Sequence, residues 1–336
     1  MKDVYILAVE SSCDETSISI IKNGHEEIAT TVLSQMDVHA NFGGVVPEIA
    51  SRMHTENITM VLEETMKKAN FDYSQIDAVA VTYAPGLIGS LIVGVEFAKA
   101  LAYAINKPLI KVHHTIGHIY ANNLVKKMEF PLLALVVSGG HTDLIIMSDD
   151  YRFKTLGSTL DDAIGETYDK VARVLGLPYP GGPNVEEMAK GGKPTIELPI
   201  ALNDKTYNFS YSGLKSAVVN YVHNEEQSGH DINKNDLACS FQCAAIHQLV
   251  NKTELVLKNN PDIKHMIVAG GVSANQYLRE QIKNLTDKYN VDLCVPPVKY
   301  CTDNAAMIGC AAYPLYLKGE FENLTLSPKS QEPIHN

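Results

Sequence analysis

Leu132 to Val137 and Leu144 to Ile146 are two apolar runs joined by Ser138-Gly139-Gly140-His141-Thr142-Asp143. Six apolar residues ending in paired glycines fit a strand buried on both faces, so the stretch reads as a tight β-hairpin. Adjacent glycines also leave backbone N–H groups bare, open to a phosphate or a carbonyl. Taken alone, Gly139-Gly140 favours an ordinary hairpin turn, because glycines punctuate strands far more often than they bind anything. Repetition shifts that balance. Val4 to Val9, the turn Glu10-Ser11-Ser12-Cys13-Asp14-Glu15-Thr16 and Ile18 to Ile21 make an earlier strand, turn and strand. His265 to Ala269 then runs into Gly270-Gly271-Val272-Ser273-Ala274-Asn275, a third strand-ending turn. Three such turns converging on one cleft are hard to explain as connectors. At the first of them, serine, threonine and carboxylates suit hydrogen bonding to phosphate or holding a cation or water, while an Asx or Ser turn explains the same residues equally well.

A chain of 336 residues exceeds what one hydrophobic core usually serves, so two domains are expected. The composition, 45% hydrophobic and 20% charged, is that of a soluble globular protein, and no apolar run approaches the roughly 20 residues of a membrane span. The short apolar run at the N-terminus meets Glu10 and Asp14 rather than a small-residue cleavage site, so it reads as a first strand and the protein as cytoplasmic. Cys13, Cys239, Cys243, Cys294, Cys301 and Cys310 form no CxxC pair and no regular framework, which favours reduced thiols. Cys239 and Cys243, one helical turn apart, read as small buried hydrophobes. A net charge of −11 excludes non-specific nucleic-acid binding, which needs a positive field. A nucleic-acid partner would need a local basic patch or a helper protein.

Along the chain, Pro47 opens a helix with Ile49, Met53, Ile58, Val61, Leu62 and Met66 near the 3.6 period, and His54 and Glu56 read as part of its solvated face. A strand from Ile76 to Thr82 enters the loop Tyr83 to Ser90, which lacks the lysine of a P-loop, and a helix follows to about Ile105. His114 and His118 are four apart, so on a helix both imidazoles project from one face. A zincin would carry glutamate after the first histidine, where Thr115 stands. A histidine pair at this spacing is often a surface accident, and it needs a third ligand. Asp303 is the candidate, because two histidines and one carboxylate with open positions suit a divalent transition metal. A helix is expected from Leu160, with Asp161 and Asp162 in its first turn, then a Pro-Gly loop from Leu177 to Pro183 and a short helix carrying Glu186. Residues 203 to 235 are polar, and a long helix runs from about Leu237 to Lys258.

Glu10 to Thr16, Gly43-Gly44-Val45-Val46-Pro47-Glu48, Pro85-Gly86-Leu87, His114 with His118, Val137 to Thr142, Tyr179-Pro180-Gly181-Gly182-Pro183 and Ala269 to Asn275 together closely resemble the TsaD family of bacterial tRNA N6-adenosine threonylcarbamoyltransferases. The match runs through nearly the whole chain in the expected order. The resemblance implies an α/β actin-like ATPase (ASKHA) fold: two ribonuclease H-like lobes with the ligand cleft between them. Residues 1–128 would form the first lobe and 129–320 the second, the segment after about 300 packing back on the first, with 321–336 as a tail. It implies iron or zinc held by His114, His118 and Asp303. Val137, Ser138, Gly139, Gly140 and His141, with Asp169, Gly182, Glu186 and Asn275, would hold threonylcarbamoyl-AMP, a cleft that an ATP- or ADP-type nucleotide also fits. Glu186 stands where relatives often have aspartate. Asp14 and Glu15 would sit in the phosphate-facing hairpin, and because an adenine amine must lose a proton as it attacks, our own reading makes them the catalytic candidates. Implied partners are tRNA, a TsaB-like paralogue, a TsaE-like ATPase and a separate synthase that makes the adenylate. Arg52, Lys67, Lys68, Lys126, Lys127, Arg152, Lys154 and Lys215 are candidates for a basic patch. A sugar kinase would keep the nucleotide loops without the histidine pair, and a silent nucleotide-binding scaffold would lack the full triad.

Overall fold

The computed structural model describes residues 2–202 and 204–334. The chain divides into two compact units, Met1–Met128 with Pro296–Asn336, and Glu129–Val295. The first unit opens with β1 (Tyr5–Glu10), β2 (Glu15–Lys22) and β3 (Glu26–Ser34), followed by the short α1 (Met36–Ala40) and by α2 (Pro47–Ala69). Pro47 suits the first turn of α2, where its missing N–H has no partner to lose, and Asn70 ends the helix in the left-handed region at φ 53°. β4 (Ala78–Ala84), α3 (Ile88–Ala104), β5 (Leu109–His113) and α4 (His114–Tyr120) complete this part.

In the second unit β6 (Leu132–Val137), β7 (Thr142–Asp149) and β8 (Arg152–Ser158) are followed by α5 (Ile164–Leu175), α6 (Gly181–Lys190), α7 (Ser212–Gln227) and α8 (Lys234–Asn259). β9 (His265–Ala269), α9 (Gln276–Tyr289) and β10 (Asp292–Cys294) end it, after which α10 (Ala305–Lys318) belongs to the first unit.

The two sheets share one plan. Their strand orders are β3-β2-β1-β4-β5 and β8-β7-β6-β9-β10. In each, the first three strands in sequence form an antiparallel meander, and the last two add in parallel beside the first. Every residue of β6 is buried, as its unbroken apolar run requires of a strand covered on both faces. In the first unit α2 and α3 pack with Leu7, Val9, Ile18, Ile20, Val79 and Val81. α10 lies against β1, β2, β4 and β5.

Three features differ from the sequence reading. β3 is a partly exposed edge strand, so its residues lack a clear apolar pattern. α7 lies in the segment read only as polar, and it buries little besides Leu214 and Val218. Asp161 and Asp162 precede α5 instead of sitting in its first turn, because they are engaged elsewhere. Asp161 accepts the N–H groups of Tyr211 and Ser212 at 2.7 and 3.2 Å and both neighbouring serine hydroxyls, which fastens the start of α7, while Asp162 pairs with Lys170 and Lys215. Among the described residues, no helix is long and apolar enough to cross a membrane.

Candidate metal centre and glycine turns

The parallel strands β1, β4 and β5 end together, at Glu10, Ala84 and His113. Carboxyl ends of such strands are where open α/β sheets place their ligands. α4 begins at once with His114, and His118 follows one turn later on the same face, the two rings meeting edge to face with centroids 4.7 Å apart. Between them stands Gly117. A Cβ there would lie 2.8 Å from Cδ1 of Ile308 and 3.3 Å from Cγ of Met307, so the bare Cα lets α10 approach α4 closely. The start of α10 is fixed by Asn304, whose Oδ1 accepts the Met307 N–H at 3.1 Å, and by the Ser17 hydroxyl, which accepts the Ala305 N–H at 2.9 Å. Asp303, just before this cap, thereby comes to 3.1 Å from Nε2 of His118 and 3.5 Å from Nε2 of His114.

These residues fit a metal ion. One ligand atom from each of His114, His118 and Asp303 lies within 4.8 Å of the others. Donors bound to a tetrahedral ion at about 2.1 Å stand about 3.4 Å apart, close to the two nitrogen–oxygen separations. His118 is 2% exposed, and neither of its ring nitrogens has a hydrogen-bond partner among the described residues. Buried polar atoms left so are rare, and a cation beside Nε2 would satisfy one of them.

The charges around the triad are mutually dependent. Burial disfavours a charged His114, but the carboxylates of Asp303 and Glu10 outweigh it and push the imidazole up to about 9. Glu15, the first residue of β2, is pushed up to about 10 by burial and by the negative charges of Asp303 and Asp14. A cation held by the triad would oppose both shifts. Asp14 lies buried in the turn between β1 and β2, where its carbonyl accepts the Gln35 N–H at 3.0 Å.

Sequence reasoning misplaced His54, which holds this turn, and gave no separate role to Glu10, read only as part of the turn. His54 is fully buried rather than part of a solvated face. Its Nδ1 lies 2.7 Å from the Thr16 hydroxyl and its Nε2 3.0 Å from the Cys13 carbonyl, so α2 grips both sides of the turn. Period 3.6 from Ala50 and Ile58 would have placed it on the buried face. The Glu10 carboxylate is fully buried beside His114. A charged residue closing an unbroken apolar strand was its only signal.

In the second unit the glycine turns divide into two kinds. Gly270 and Gly165 are required by packing, since a Cβ on either would lie 2.5 Å from the Val137 carbonyl oxygen or 2.6 Å from that of Ser138. Gly139, Gly140, Gly182 and Gly271 face open space, with nothing within 4 Å of a built Cβ. Ser138 closes the central turn by donating its N–H to the His141 carbonyl at 2.9 Å, while its hydroxyl accepts the His141 N–H at 3.1 Å. Val137 is buried at the end of β6. Asp169 accepts the Gly181 N–H at 2.7 Å, which seats the start of α6 against α5. Glu186 on α6 accepts the Gln276 N–H at 2.7 Å, at the N-terminus of α9. Asn275 caps that helix through the Leu278 N–H at 2.8 Å and donates to Gln242 at 3.0 Å. Glu186 and Asn275 therefore meet at one helix start and take two of its N–H groups, the Glu186 carboxylate being the anion that such an end favours.

The model of the TsaD family, tRNA N6-adenosine threonylcarbamoyltransferase, matches residues 26–310. The chain belongs to this family. A relative of that name from Anoxybacillus flavithermus is 55% identical over 97% of this chain and 96% of its own length. Another from Geobacillus kaustophilus is 52% identical over 99% and 98%. Among solved structures, HypF from T. kodakarensis aligns over 96% of this chain and 49% of its own with a TM-score of 0.63, at 13% identity, which speaks to fold alone. The paired sheets are those of the actin-like ATPase fold. The chain is thus a transferase of the TsaD family, with tRNA the substrate that the family implies.

Proposed function

We propose that the protein transfers the threonylcarbamoyl group from threonylcarbamoyl-AMP to N6 of the adenosine 3′ of the anticodon, in tRNAs reading codons that begin with adenine, and releases AMP. The observation that carries this reading is the pairing of family membership with a His114, His118 and Asp303 cluster whose spacing suits a transition metal. A sugar kinase has no use for that cluster.

The substrate is a mixed anhydride, so binding it calls for an adenosine site, donors for phosphate and polarisation at the acyl end. The N–H groups at Gly139 and Gly140 would meet the phosphate, with Val137, Ser138 and His141 shaping that turn. Asp169, Gly182, Glu186, Gly271 and Asn275 would hold the adenosine. The open space over Gly140, Gly182 and Gly271 supports this division. Iron or zinc at the triad, iron being our choice, would supply a Lewis acid for the carbamoyl group or an anchor for the threonyl part. The adenine amine attacks the carbamoyl carbon, its bond to the phosphate oxygen breaks, and AMP leaves with the electron pair. The proton lost from the amine goes to Asp14, directly or through water, with Glu15 beside it.

Net charge −11 opposes tRNA, so we assign turnover to a complex with a TsaB-like paralogue and a TsaE-like ATPase, fed by a separate adenylate-forming enzyme. An anticodon loop can splay the target base toward the site. The test incubates labelled threonine, bicarbonate, ATP, the adenylate-forming enzyme and tRNA with this protein, with and without the two partners. Modified adenosine beside the anticodon only in the complete mixture, falling steeply with added salt, is the expected result. No modified nucleoside from the complete mixture overturns the reading.

A further inference from the structure

His114 and His118 are not equivalent. Around Nδ1 of His114 the chain has gathered the Ser12 hydroxyl at 3.0 Å and Oε2 of Glu10 at 3.3 Å, whereas His118 has no hydrogen-bond partner among the described residues at either ring nitrogen. Glu10 is 0% exposed, and a buried carboxylate is retained only where donors surround it. Here they do. The Ser12 N–H donates to Oε1 at 2.6 Å, and the Thr82 hydroxyl donates to Oε2. Glu10 closes β1 and Thr82 lies near the end of β4, so two adjacent strands fix the carboxylate before α4 delivers the imidazole.

We propose that Glu10 is a positioning residue for the metal: it takes the Nδ1–H of His114, sets the tautomer and ring orientation, and leaves Nε2 to face Asp303 and the ion. A ligating histidine commonly donates its second ring N–H to a carboxylate or carbonyl, which fixes the ring and raises its basicity as a ligand. Glu10 has the burial, the acceptor atom and the rigid support for that role. His114 is then the preset ligand, and His118 is the one that the ion itself orders. The inference rests on the metal reading of the triad.

The experiment measures Zn2+ and Co2+ affinity of the purified full chain by competition with a chelator, together with the visible spectrum of the Co2+ form. Glu10→Gln is expected to lower affinity by about 10- to 100-fold and to shift the Co2+ bands, while the metal-free protein keeps its secondary structure. Thr82→Val, which removes a support of Glu10 without touching His114, is expected to give a smaller loss in the same direction. It also serves as the test if Glu10→Gln fails to fold. A variant with wild-type affinity and an unshifted spectrum overturns the role of Glu10. A wild-type chain that takes up no metal overturns the triad instead, so the two failures are distinguishable.

Discussion

Nε2 of His118 stands 3.1 Å from Oδ1 of Asp303, near enough for a hydrogen bond, yet it makes none. The same oxygen lies 3.5 Å from Nε2 of His114, so one carboxylate meets both imidazoles at separations that donors around a common ion take. Replacing His118 with alanine, or Asp303 with asparagine, should reduce metal content from about one ion per chain to background while circular dichroism stays unchanged. Plasma emission of the dialysed proteins makes the measurement. Stoichiometric metal in either variant contradicts the triad.

Gly140 and Gly270 should respond in opposite ways to a side chain. Gly140→Val meets nothing within 4 Å of its Cβ, so stability should stay within about 0.5 kcal/mol of wild type while adenylate affinity falls. Gly270 sits at φ 90° with a built Cβ 2.5 Å from the Val137 carbonyl oxygen. Gly270→Ala should then cost about 2 to 4 kcal/mol from strain and displacement together. Urea unfolding beside calorimetry with a non-hydrolysable adenylate separates the two. Equal stability losses would remove the distinction between packing glycines and ligand-facing ones.

β1, β2, β4, β6, β7 and β9 with α2, α3 and α8 were legible because apolar runs and periodicity report burial directly, whereas β3, β5, β8, β10 and α10 went unread. The central hairpin appears as read, with β6 wholly buried. The triad was legible in part: helical spacing aligned His114 with His118, but no local pattern connects them to Asp303. That connection depends on Gly117 letting α10 approach and on Asn304 capping its start, both tertiary facts. His54 was misjudged because an imidazole beside charged neighbours looks solvated until its partners, the Thr16 hydroxyl and a backbone carbonyl from another element, are in view. α7 escaped notice because it buries so little, and its start depends on Asp161, far away in sequence.

Acid should loosen the contact between α8 and α9. Glu254 on α8 is held down to about 2, by Lys288 at 2.7 Å first, then by the Tyr289 hydroxyl at 2.8 Å, with Lys258 at 3.2 Å adding to them. A carboxyl with a depressed folded value contributes stability above its unfolded value of about 4.3, and that contribution is lost as pH falls from there toward 2. Glu254→Gln should therefore be less stable than wild type near neutrality and should show a shallower decline below about pH 4. Melting temperatures across that range decide it, and parallel acid profiles for the two proteins would contradict the assignment.

The chain beyond α10 straps β4 and β5, the second of which leads directly into α4. The Glu322 N–H donates to the Leu109 carbonyl at 2.8 Å, the Lys329 N–H to that of Tyr83 at 2.9 Å, and the Gly86 N–H to that of Ser330 at 3.2 Å. Leu326 is 9% exposed among the side chains of α2, α3 and the sheet. His113, immediately before His114 of the proposed triad, bonds through Nε2 to the Glu332 carbonyl at 2.8 Å. The Tyr83 and His113 contacts thus lie where β4 and β5 lead toward α4, while the Leu109 contact holds the opposite end of β5. Leu326→Ala should cost about 2 to 3 kcal/mol from the lost burial. Removal of residues 320–336 should cost more, and it should also speed metal loss, since the end of β5 then loses the contact that steadies His113. Chelator-driven release followed by absorbance measures the second effect. A truncated chain that unfolds more easily yet releases metal at the wild-type rate would show that the strap supports the unit without steadying α4.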